Sequence, residues 1–311
     1  MEKLIVCFPG QGIQEPKMAL DLYNHSPSVR ELFQRASDIC EMDFKNILDF
    51  YDLKQLSKTI ITQTTIVLAE LSALQVLREE GYEVASTAGF SLGELSSYYA
   101  SGVVSEEDIF KLVKIRGTLM DKAASESSDE ELSMAAVIGA NSEAIQPLLE
   151  DPSFNHIFIA NDNSTKQVVI SGTLSQIDLI TPLLKEKGAR RVIKLKVDSA
   201  FHSPFMASAE REFATVLKDY KFNNPSIPFY ANVSGLQEVD GNIIRGLASK
   251  QITHGVKWLS IMREIKKMNS LDNFRIVEAG PKKVLSSFFA SENMISHPCG
   301  TLENILGLRE E

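Results

Sequence analysis

The sequence predicts an α/β protein: a doubly wound, mostly parallel sheet with an inserted, ferredoxin-like α+β subdomain. Two observations support this. Short apolar, β-rich segments alternate with helical segments along most of the 311 residues, which is the pattern of a parallel sheet covered by helices. Residues 127–197 have a β-α-β-β-α-β order of their own. We therefore assign residues 1–126 and 198–311 to a large domain, and residues 127–197 to an insert.

The composition is that of a globular chain. Hydrophobic residues make up 44% of it and charged residues 23%, enough for a normal core. No apolar run approaches the roughly 20 residues that span a bilayer, and the N-terminus enters a strand pattern without a signal peptide. The net charge of -9 argues against general nucleic-acid binding. We expect neither a membrane nor a nucleic-acid partner.

Cysteine usage indicates the compartment. The three cysteines are scattered, at positions 7, 40 and 299, which favours a reduced, cytoplasmic setting. No spacing of cysteine and histidine resembles a metal site, so we expect no metal. Asn163-Ser164-Thr165 and Asn232-Val233-Ser234 match the glycosylation sequon, but the match has no weight in a cytoplasmic chain.

The first predicted strand, residues 3–8, ends at the turn Pro9-Gly10-Gln11-Gly12. A loop after the first strand of a parallel sheet lies at the carboxyl edge, where ligands usually bind, although an ordinary turn has the same composition. Helices are predicted over residues 27–42 and 63–80. The apolar content of the second predicts a buried helix packed on the sheet.

The segment Gly89-Phe90-Ser91-Leu92-Gly93 has the form G-x-S-x-G. A strand-like stretch, residues 84–88, precedes it, and a helix-like run, residues 92–100, follows. Strand, sharp turn and helix in this order predict a nucleophile elbow, in which the serine hydroxyl points out of the sheet. The flanking glycines leave room for crowded backbone. A glycine-rich turn without chemistry is the alternative.

The next helix is predicted from an N-cap at Ser105 to about residue 124. Arg116 lies within it, on a stripe that is otherwise apolar. A buried guanidinium requires an anionic partner, because an unpaired charge removed from water costs several kcal/mol. An internal salt bridge or a snorkelling side chain would satisfy this requirement, and so would a substrate carboxylate.

Residues 125–131 are polar and predict a linker. The insert's strands are predicted at residues 132–138, 156–160, 167–171 and 191–197, and its helices at 142–149 and 175–187. After the insert, strands are predicted at 227–231 and 274–277, and helices at 205–218, 243–253, 258–268 and 283–289.

A serine nucleophile needs a base, and the chain has five histidines. Only His202 is predicted to lie in a sheet-edge turn of the same domain as Ser91, between a strand and a helix. His202 is therefore the favoured base, with a purely structural histidine as the alternative.

Together these motifs resemble the malonyl-CoA:acyl carrier protein transacylases, both the enzymes of fatty-acid synthesis and the free-standing acyltransferases of polyketide pathways. The resemblance covers the whole chain. The matching segments, in order, are Phe8-Pro9-Gly10-Gln11-Gly12, Thr62-Gln63, Gly89-x-Ser91-Leu92-Gly93-Glu94, Arg116-Gly117-x-Leu119-Met120, Asn161, Gln167-Val168-Val169-Ile170-Ser171-Gly172, Phe201-His202-Ser203, Gln251, Val256-x-Trp258 and Glu278-x-Gly280-Pro281.

The resemblance implies an α/β-hydrolase-like domain with a ferredoxin-like insert, and it implies roles for residues. Ser91 would be the nucleophile and His202 its base, oriented by a backbone carbonyl near Gln251 instead of by an Asp. The backbone amides of Gln11 and Leu92 would form the oxyanion hole. Arg116 would hold the malonyl carboxylate, and the remaining pocket residues would be Gln63, Asn161, Phe201 and the side chain of Gln251.

The implied reaction is two acyl transfers, from malonyl-CoA to Ser91 and from Ser91 to the phosphopantetheine thiol of acyl carrier protein. The enzyme itself would need no cofactor and would be a monomer. Two positions depart from the family pattern: Phe90 stands where the family usually has His, and Gly255 where it often has Pro. The Ala200-Phe201-His202 run resembles the form associated with malonyl, as opposed to methylmalonyl, selection.

Two other functions are compatible with the fold. An acyl hydrolase would prefer water to the carrier thiol, but such members tend to lack the arginine, and Arg116 is present. A catalytically silent docking subunit would be expected to have lost Ser91 or His202, and both are present. The sequence leaves open whether the pathway is fatty-acid or polyketide synthesis.

An acidic carrier protein would require a basic patch on this acidic chain. One candidate, at the end of the insert beside the expected cleft, consists of Lys185, Lys187, Arg190 and Arg191. The other, after the Gly280-Pro281 turn, consists of Lys282 and Lys283. Solvated surface is the alternative for each.

Overall fold

A computed structural model describes residues 2–126, 130–197, 199–272 and 274–310. The helices are α1 (Leu20–His25), α2 (Pro27–Cys40), α3 (Phe44–Phe50), α4 (Leu53–Leu56), α5 (Thr59–Glu79), α6 (Gly93–Ala100), α7 (Glu106–Glu126), α8 (Ser142–Leu149), α9 (Leu174–Glu186), α10 (Ala207–Val216), α11 (Gly241–Lys250), α12 (Trp258–Asp272), α13 (Leu285–Ser291) and α14 (Leu302–Gly307). The strands are β1 (Lys3–Phe8), β2 (Glu83–Gly89), β3 (Leu132–Ile138), β4 (Ile157–Ser164), β5 (Gln167–Thr173), β6 (Arg191–Lys194), β7 (Phe229–Tyr230), β8 (Gln237–Glu238), β9 (Arg275–Glu278) and β10 (His297–Pro298).

The larger sheet has six strands in the order β10-β9-β1-β2-β7-β8, all parallel except β8. Its central strand β1 is buried on both faces. Leu4, Val6 and Phe8 enter one hydrophobic cluster, while Ile5 and Cys7 enter the cluster on the opposite face. Strands buried on both faces are typical of a parallel sheet covered by helices on each side, so the predicted fold class is confirmed.

Helix α5 lies inside this core. By length and composition it could cross a bilayer, contrary to the expectation that no segment would come close. Within the protein, 83% of the relevant window is buried, because the helix packs against α7, α2 and α6. The helix therefore has the packing of a core element, as its apolar content predicted.

The insert forms a four-stranded antiparallel sheet in the order β4-β5-β3-β6, with α8 and α9 on one face. The strand order and β-α-β-β-α-β connectivity are those of a ferredoxin-like unit. An isolated parallel bridge from Asn161 to Val256 joins β4 to the large domain. Gly255 is required at this join, because a Cβ there would lie 2.4 Å from the Ile159 carbonyl oxygen.

The predicted boundaries 126/127 and 197/198 and most of the predicted linker fall at or beside residues outside the described ranges, so the division into domains stays a prediction. Elsewhere the differences are local. The helix predicted from residue 205 begins with a 3-10 turn, Pro204–Met206, before α10, and the strand predicted over residues 227–231 contains only β7. Sequence periodicity missed α1, α3, α4, α14, β8 and β10, because segments of two to seven residues carry little periodic signal.

Two glycine substitutions should have opposite effects on stability. A Cβ at Gly93 would lie 2.2 Å from the Phe8 carbonyl oxygen, so Gly93→Ala should lower the free energy of unfolding by about 3 kcal/mol or more. A Cβ at Gly246, inside α11, would meet nothing within 4 Å, so Gly246→Ala should raise the free energy of unfolding by about 0.5–1 kcal/mol. Urea denaturation measures both, and equal effects would contradict the packing described.

Candidate active site

The serine motif forms a strained turn at the carboxyl end of β2. Ser91 has φ 51°, in the left-handed region that side chains other than glycine rarely adopt, and α6 begins two residues later. The backbone is too crowded for any side chain at the flanking glycines. A Cβ on Gly89 would lie 2.0 Å from the Gly93 carbonyl oxygen. The backbone geometry is therefore that of a nucleophile elbow.

Ser91 and His202 come together across 111 residues of sequence. The Ser91 hydroxyl lies 2.7 Å from His202 Nε2, and His202 Nδ1 lies 2.7 Å from the backbone carbonyl oxygen of Gln251. The carbonyl can only accept, so Nδ1 carries the proton and Nε2 is free to accept one from Ser91. His202 is buried and also has a positive φ, 56°.

The two predicted oxyanion donors belong to the two segments that adjoin Ser91, the loop after β1 and the start of α6. The loop after β1 approaches the elbow closely, because a Cβ on Gly10 would lie 3.4 Å from Ser91 Cβ. Leu92 is the N-cap residue of α6. In the hydrogen bonds formed by the described residues, neither the Gln11 amide nor the Leu92 amide has a partner. Two unengaged amides beside a serine hydroxyl are suited to stabilising a developing oxyanion.

Arg116 is buried, with 1% of its surface exposed, yet no carboxylate of the described residues pairs with it. Its Nη1 donates to Gln63 Oε1 and its Nη2 donates to Gln251 Oε1, each at 2.8 Å, while Nε has no partner. Burial lowers the pKa of Arg116 to about 10, opposed by Tyr98 and Glu94, so the group stays charged at neutral pH. A buried cation held only by amide oxygens is suited to receive an anionic ligand.

Gln251 links the parts of this site. Its backbone carbonyl orients His202, its side-chain oxygen accepts from Arg116, and its Nε2 donates to the Ser91 carbonyl oxygen and to Glu94 Oε2, both at 2.6 Å. Glu94 is buried, and desolvation raises its pKa to about 7 despite hydrogen bonds from Asn232, Gln251 and Tyr98. Gln63 makes a second link, donating to Gln11 Oε1 at 3.2 Å.

The insert contributes to one side of the site. Asn161 is buried at a bulge in β4, and Phe201 packs both on the main core and on the face of the insert sheet opposite α8 and α9. A cavity of about 530 Å³ lies between β4 and the large domain and reaches His202; its lining includes Phe158, Thr253 and His254. The Ser91–His202 pair and the buried guanidinium of Arg116 together can form an ester on Ser91 with an acyl group that carries a carboxylate.

The two basic patches lie in different places. Lys282 follows β9 at the same sheet edge as the loop after β1, and its Nζ donates to the Gln14 carbonyl oxygen at 3.4 Å. Arg191 begins β6, at the outer edge of the insert sheet, and β4 at the opposite edge makes the bridge to the large domain. The structure thus puts the patch of Lys282 and Lys283 next to the loop that carries Gln11.

The reactivity of Ser91 should persist in mild acid. Burial, and secondly the charge of Arg116, lower the pKa of His202 from 6.5 to about 4. Protonated imidazole cannot accept the Ser91 proton, so labelling of Ser91 by a fluorophosphonate should fall to half near pH 4. Arg116→Ala should move this midpoint upward, though not to 6.5, because burial remains. A midpoint at or above 6.5 in the unsubstituted protein would contradict the geometry.

Sequence patterns gave no role to Asn232 or to the side chain of Glu94. Both are buried; Asn232 binds the elbow directly, and the Glu94 carboxyl accepts from the Asn232 backbone amide. For Asn232 the one available signal was its position just after a predicted strand, hence at the carboxyl edge of the sheet. For Glu94 it was the position of the glutamate directly after the G-x-S-x-G motif, in a helix with no other charged residue.

Known proteins are similar to this chain in sequence. Residues 6–284 match the family described as acyl transferase domain. The chain is 33% identical over 289 residues to the malonyl CoA-acyl carrier protein transacylase of Haemophilus influenzae, covering 92% of this chain and 91% of that protein. It is 31% identical over 295 residues to the protein of the same name from Bacillus subtilis, covering 94% and 91%.

Solved structures of similar proteins have the same fold as this chain. An acyl carrier protein S-malonyltransferase from Vibrio cholerae superposes with a TM-score of 0.90 at 29% identity, covering 99% of this chain and 100% of that one. A malonyl-transacylase solved in complex with a type II polyketide synthase acyl-carrier protein has a TM-score of 0.89 at 28% identity, covering 100% and 99%. Similarity therefore extends over both sheets and includes the insert.

Proposed function

This chain belongs to the acyl transferase domain family, and we propose that it transfers a malonyl group from malonyl-CoA to the phosphopantetheine thiol of an acyl carrier protein. The observation that carries the proposal is that the Ser91–His202 pair occurs together with a buried Arg116 that forms no ion pair with a carboxylate of the described residues. The pair provides acyl transfer and the arginine provides selection of an acyl group that ends in a carboxylate.

In the first half-reaction, His202 Nε2 takes the hydroxyl proton as Ser91 Oγ attacks the thioester carbonyl of malonyl-CoA. The oxyanion that forms is stabilised by the amides of Gln11 and Leu92. The intermediate collapses with cleavage of the carbon–sulfur bond, His202 returns the proton to the departing thiolate, and malonyl-Ser91 and CoA result. The Gln251 carbonyl holds the imidazolium that exists between these proton transfers.

The second half-reaction reverses these roles. The carrier thiol gives its proton to His202 and its sulfur attacks the malonyl-Ser91 ester, after which the proton returns to Ser91 Oγ. Throughout both steps the guanidinium of Arg116 binds the malonyl carboxylate through its planar fork. An acetyl group would leave this buried cation unpaired, which disfavours the smaller substrate.

The remaining features of the proposal follow from this reaction. The phosphopantetheine is carried by the partner, so the enzyme needs no cofactor of its own. We propose a cytoplasmic monomer whose malonyl-carrier product is consumed in fatty-acid or polyketide synthesis.

Mass spectrometry of the intact protein and of its peptides tests the function directly. After incubation with malonyl-CoA, a peptide containing Ser91 should carry a malonyl group, and addition of holo acyl carrier protein should move that group to the carrier. Transfer without an adduct on Ser91 would exclude the covalent mechanism. An adduct that is released to water as fast with or without carrier would favour an acyl hydrolase instead.

Carrier docking should depend on Lys282 and Lys283. Their reversal to Glu should raise KM for carrier protein by about tenfold, because rim charges steer an acidic partner, and should weaken its dependence on salt. Formation of malonyl-Ser91 from malonyl-CoA should stay unchanged. The matched control reverses Arg190 and Arg191, which lie at the outer edge of the insert. A larger effect from this control would assign docking to the insert instead.

A further inference from the structure

Asn232 lies two residues beyond β7, at the carboxyl edge of the larger sheet, and is completely buried. Its side chain spans the elbow. Oδ1 accepts the Ser91 amide at 2.7 Å, and Nδ2 donates to the Gly89 carbonyl oxygen at 2.6 Å. One amide group therefore binds the backbone on both sides of Phe90, across 141 residues of sequence from Ser91.

The hydrogen bond from the Ser91 amide to Asn232 is made at the residue whose backbone conformation is strained. A left-handed φ at a residue other than glycine costs of order 1 kcal/mol or more, so it persists only where surrounding contacts determine it. The Ser91 amide is also a part-buried donor that no helix or strand bond of the described residues satisfies. Asn232 supplies that acceptor and simultaneously fixes the carbonyl on the other side of the turn.

Asn232 is itself held in place from the active-site side. Its backbone amide donates to Glu94 Oε1 at 2.7 Å, and the other oxygen of that carboxyl accepts from Gln251 Nε2. The Asn232 carbonyl oxygen accepts from the Lys257 amide at 2.9 Å. The asparagine thus connects the elbow to the residue whose carbonyl orients His202.

We propose that Asn232 is a positioning residue for the reaction: it holds Ser91 in the left-handed conformation that aims the hydroxyl at His202 and leaves the Leu92 amide free for the oxyanion. Both ends of the carboxamide are needed, the oxygen for the Ser91 amide and the nitrogen for the Gly89 carbonyl. An aspartate of the same shape cannot donate when ionised. The inference rests on the proposed role of Ser91.

The test compares Asn232→Ala and Asn232→Asp with the unsubstituted enzyme. Single-turnover formation of malonyl-Ser91 should slow by about 100-fold in both variants, the scale of a displacement of about 1 Å at a reacting atom. KM for malonyl-CoA should change less than about threefold, and the ratio of malonyl to acetyl transfer should not change, because Arg116 is untouched. Labelling of Ser91 by a fluorophosphonate, which does not need Arg116, should slow in parallel. Asn46→Asp, on the exposed surface of α3, is the matched control.

Three results would overturn the proposal: acylation by Asn232→Ala within threefold of the unsubstituted rate, a loss confined to KM, or an unimpaired Asn232→Asp. A fall in the melting temperature with unchanged acylation well below it would show a structural role only. Should Asn232→Ala fail to fold, Asn232→Asp, which keeps the volume, decides alone. If the unsubstituted enzyme forms no malonyl adduct on Ser91, the proposed function fails, and fluorophosphonate labelling of Ser91 in the two Asn232 variants still decides this inference.

Discussion

Ser91→Ala is expected to abolish acyl transfer. Without the hydroxyl no ester can form, and the loss of a nucleophile that works as a unit with its base is roughly 10⁴- to 10⁶-fold in kcat. The oxyanion donors and the Arg116 pocket remain, so binding of malonyl-CoA should weaken little. Steady-state transfer to carrier protein and intact-mass analysis measure the two consequences separately.

The control for this variant is Ser287→Ala, which removes a hydroxyl from the exposed surface of α13 and should leave both measurements unchanged. His202→Ala should lose nearly as much as Ser91→Ala, and the double variant little more than either, because the pair acts together. Losses that multiply in the double variant would mean that the 2.7 Å contact is not the catalytic one.

Arg116→Ala should reverse the selectivity. Malonyl transfer should fall by about 10²- to 10³-fold, equivalent to about 3–4 kcal/mol, the scale for removing one partner of a buried charged pair. Acetyl transfer should fall less or rise, because the alanine variant leaves no unpaired cation against a methyl group. Competition between malonyl-CoA and acetyl-CoA, followed by mass spectrometry of Ser91, gives the ratio in one experiment.

Two further variants separate charge from geometry. Arg116→Lys keeps the charge but loses the planar fork that Gln63 and Gln251 hold, so it should recover only part of malonyl transfer. Lys114→Ala removes a cation from the same helix at the surface, where it pairs with Glu41, and should change neither substrate. Equal losses for malonyl and acetyl in Arg116→Ala would contradict a carboxylate-binding role.

Much of the site follows from sequence because its residues have a local signature. Ser91 lies in a motif whose glycines are required by contacts of 2.0 to 2.2 Å, and Arg116 is conspicuous on an apolar helix face. The ferredoxin-like insert is likewise visible as six elements with clear periodicity. Residues 127–197 as its limits stay a prediction, and so do the roles proposed for the site residues.

The contacts between side chains that are distant in the sequence could not be predicted. The side chains of Gln63 and Gln251 meet at Arg116 from positions 53 and 135 residues away, so no spacing rule connects them. The sequence shows Asn232 only as a residue that follows a predicted strand and as part of a sequon, because its partners Ser91 and Gly89 lie at the end of another strand. Asparagine and glutamine side chains have no charge and no periodic pattern in the sequence. Their roles depend on which residues the fold brings next to them.

The close glycine contacts have a consequence for how enzymes with this elbow can diversify. Gly89 and Gly93 admit no Cβ, and a Cβ on Gly10 would lie 2.9 Å from the Phe90 carbonyl oxygen, so the backbone around the reacting atoms cannot be retuned by substitution. We therefore expect adaptation to a new acyl chain to come from side chains at the periphery, above all Phe201 beside the insert and Asn161 within it. Directed evolution for altered extender units should concentrate its libraries there and leave the elbow untouched.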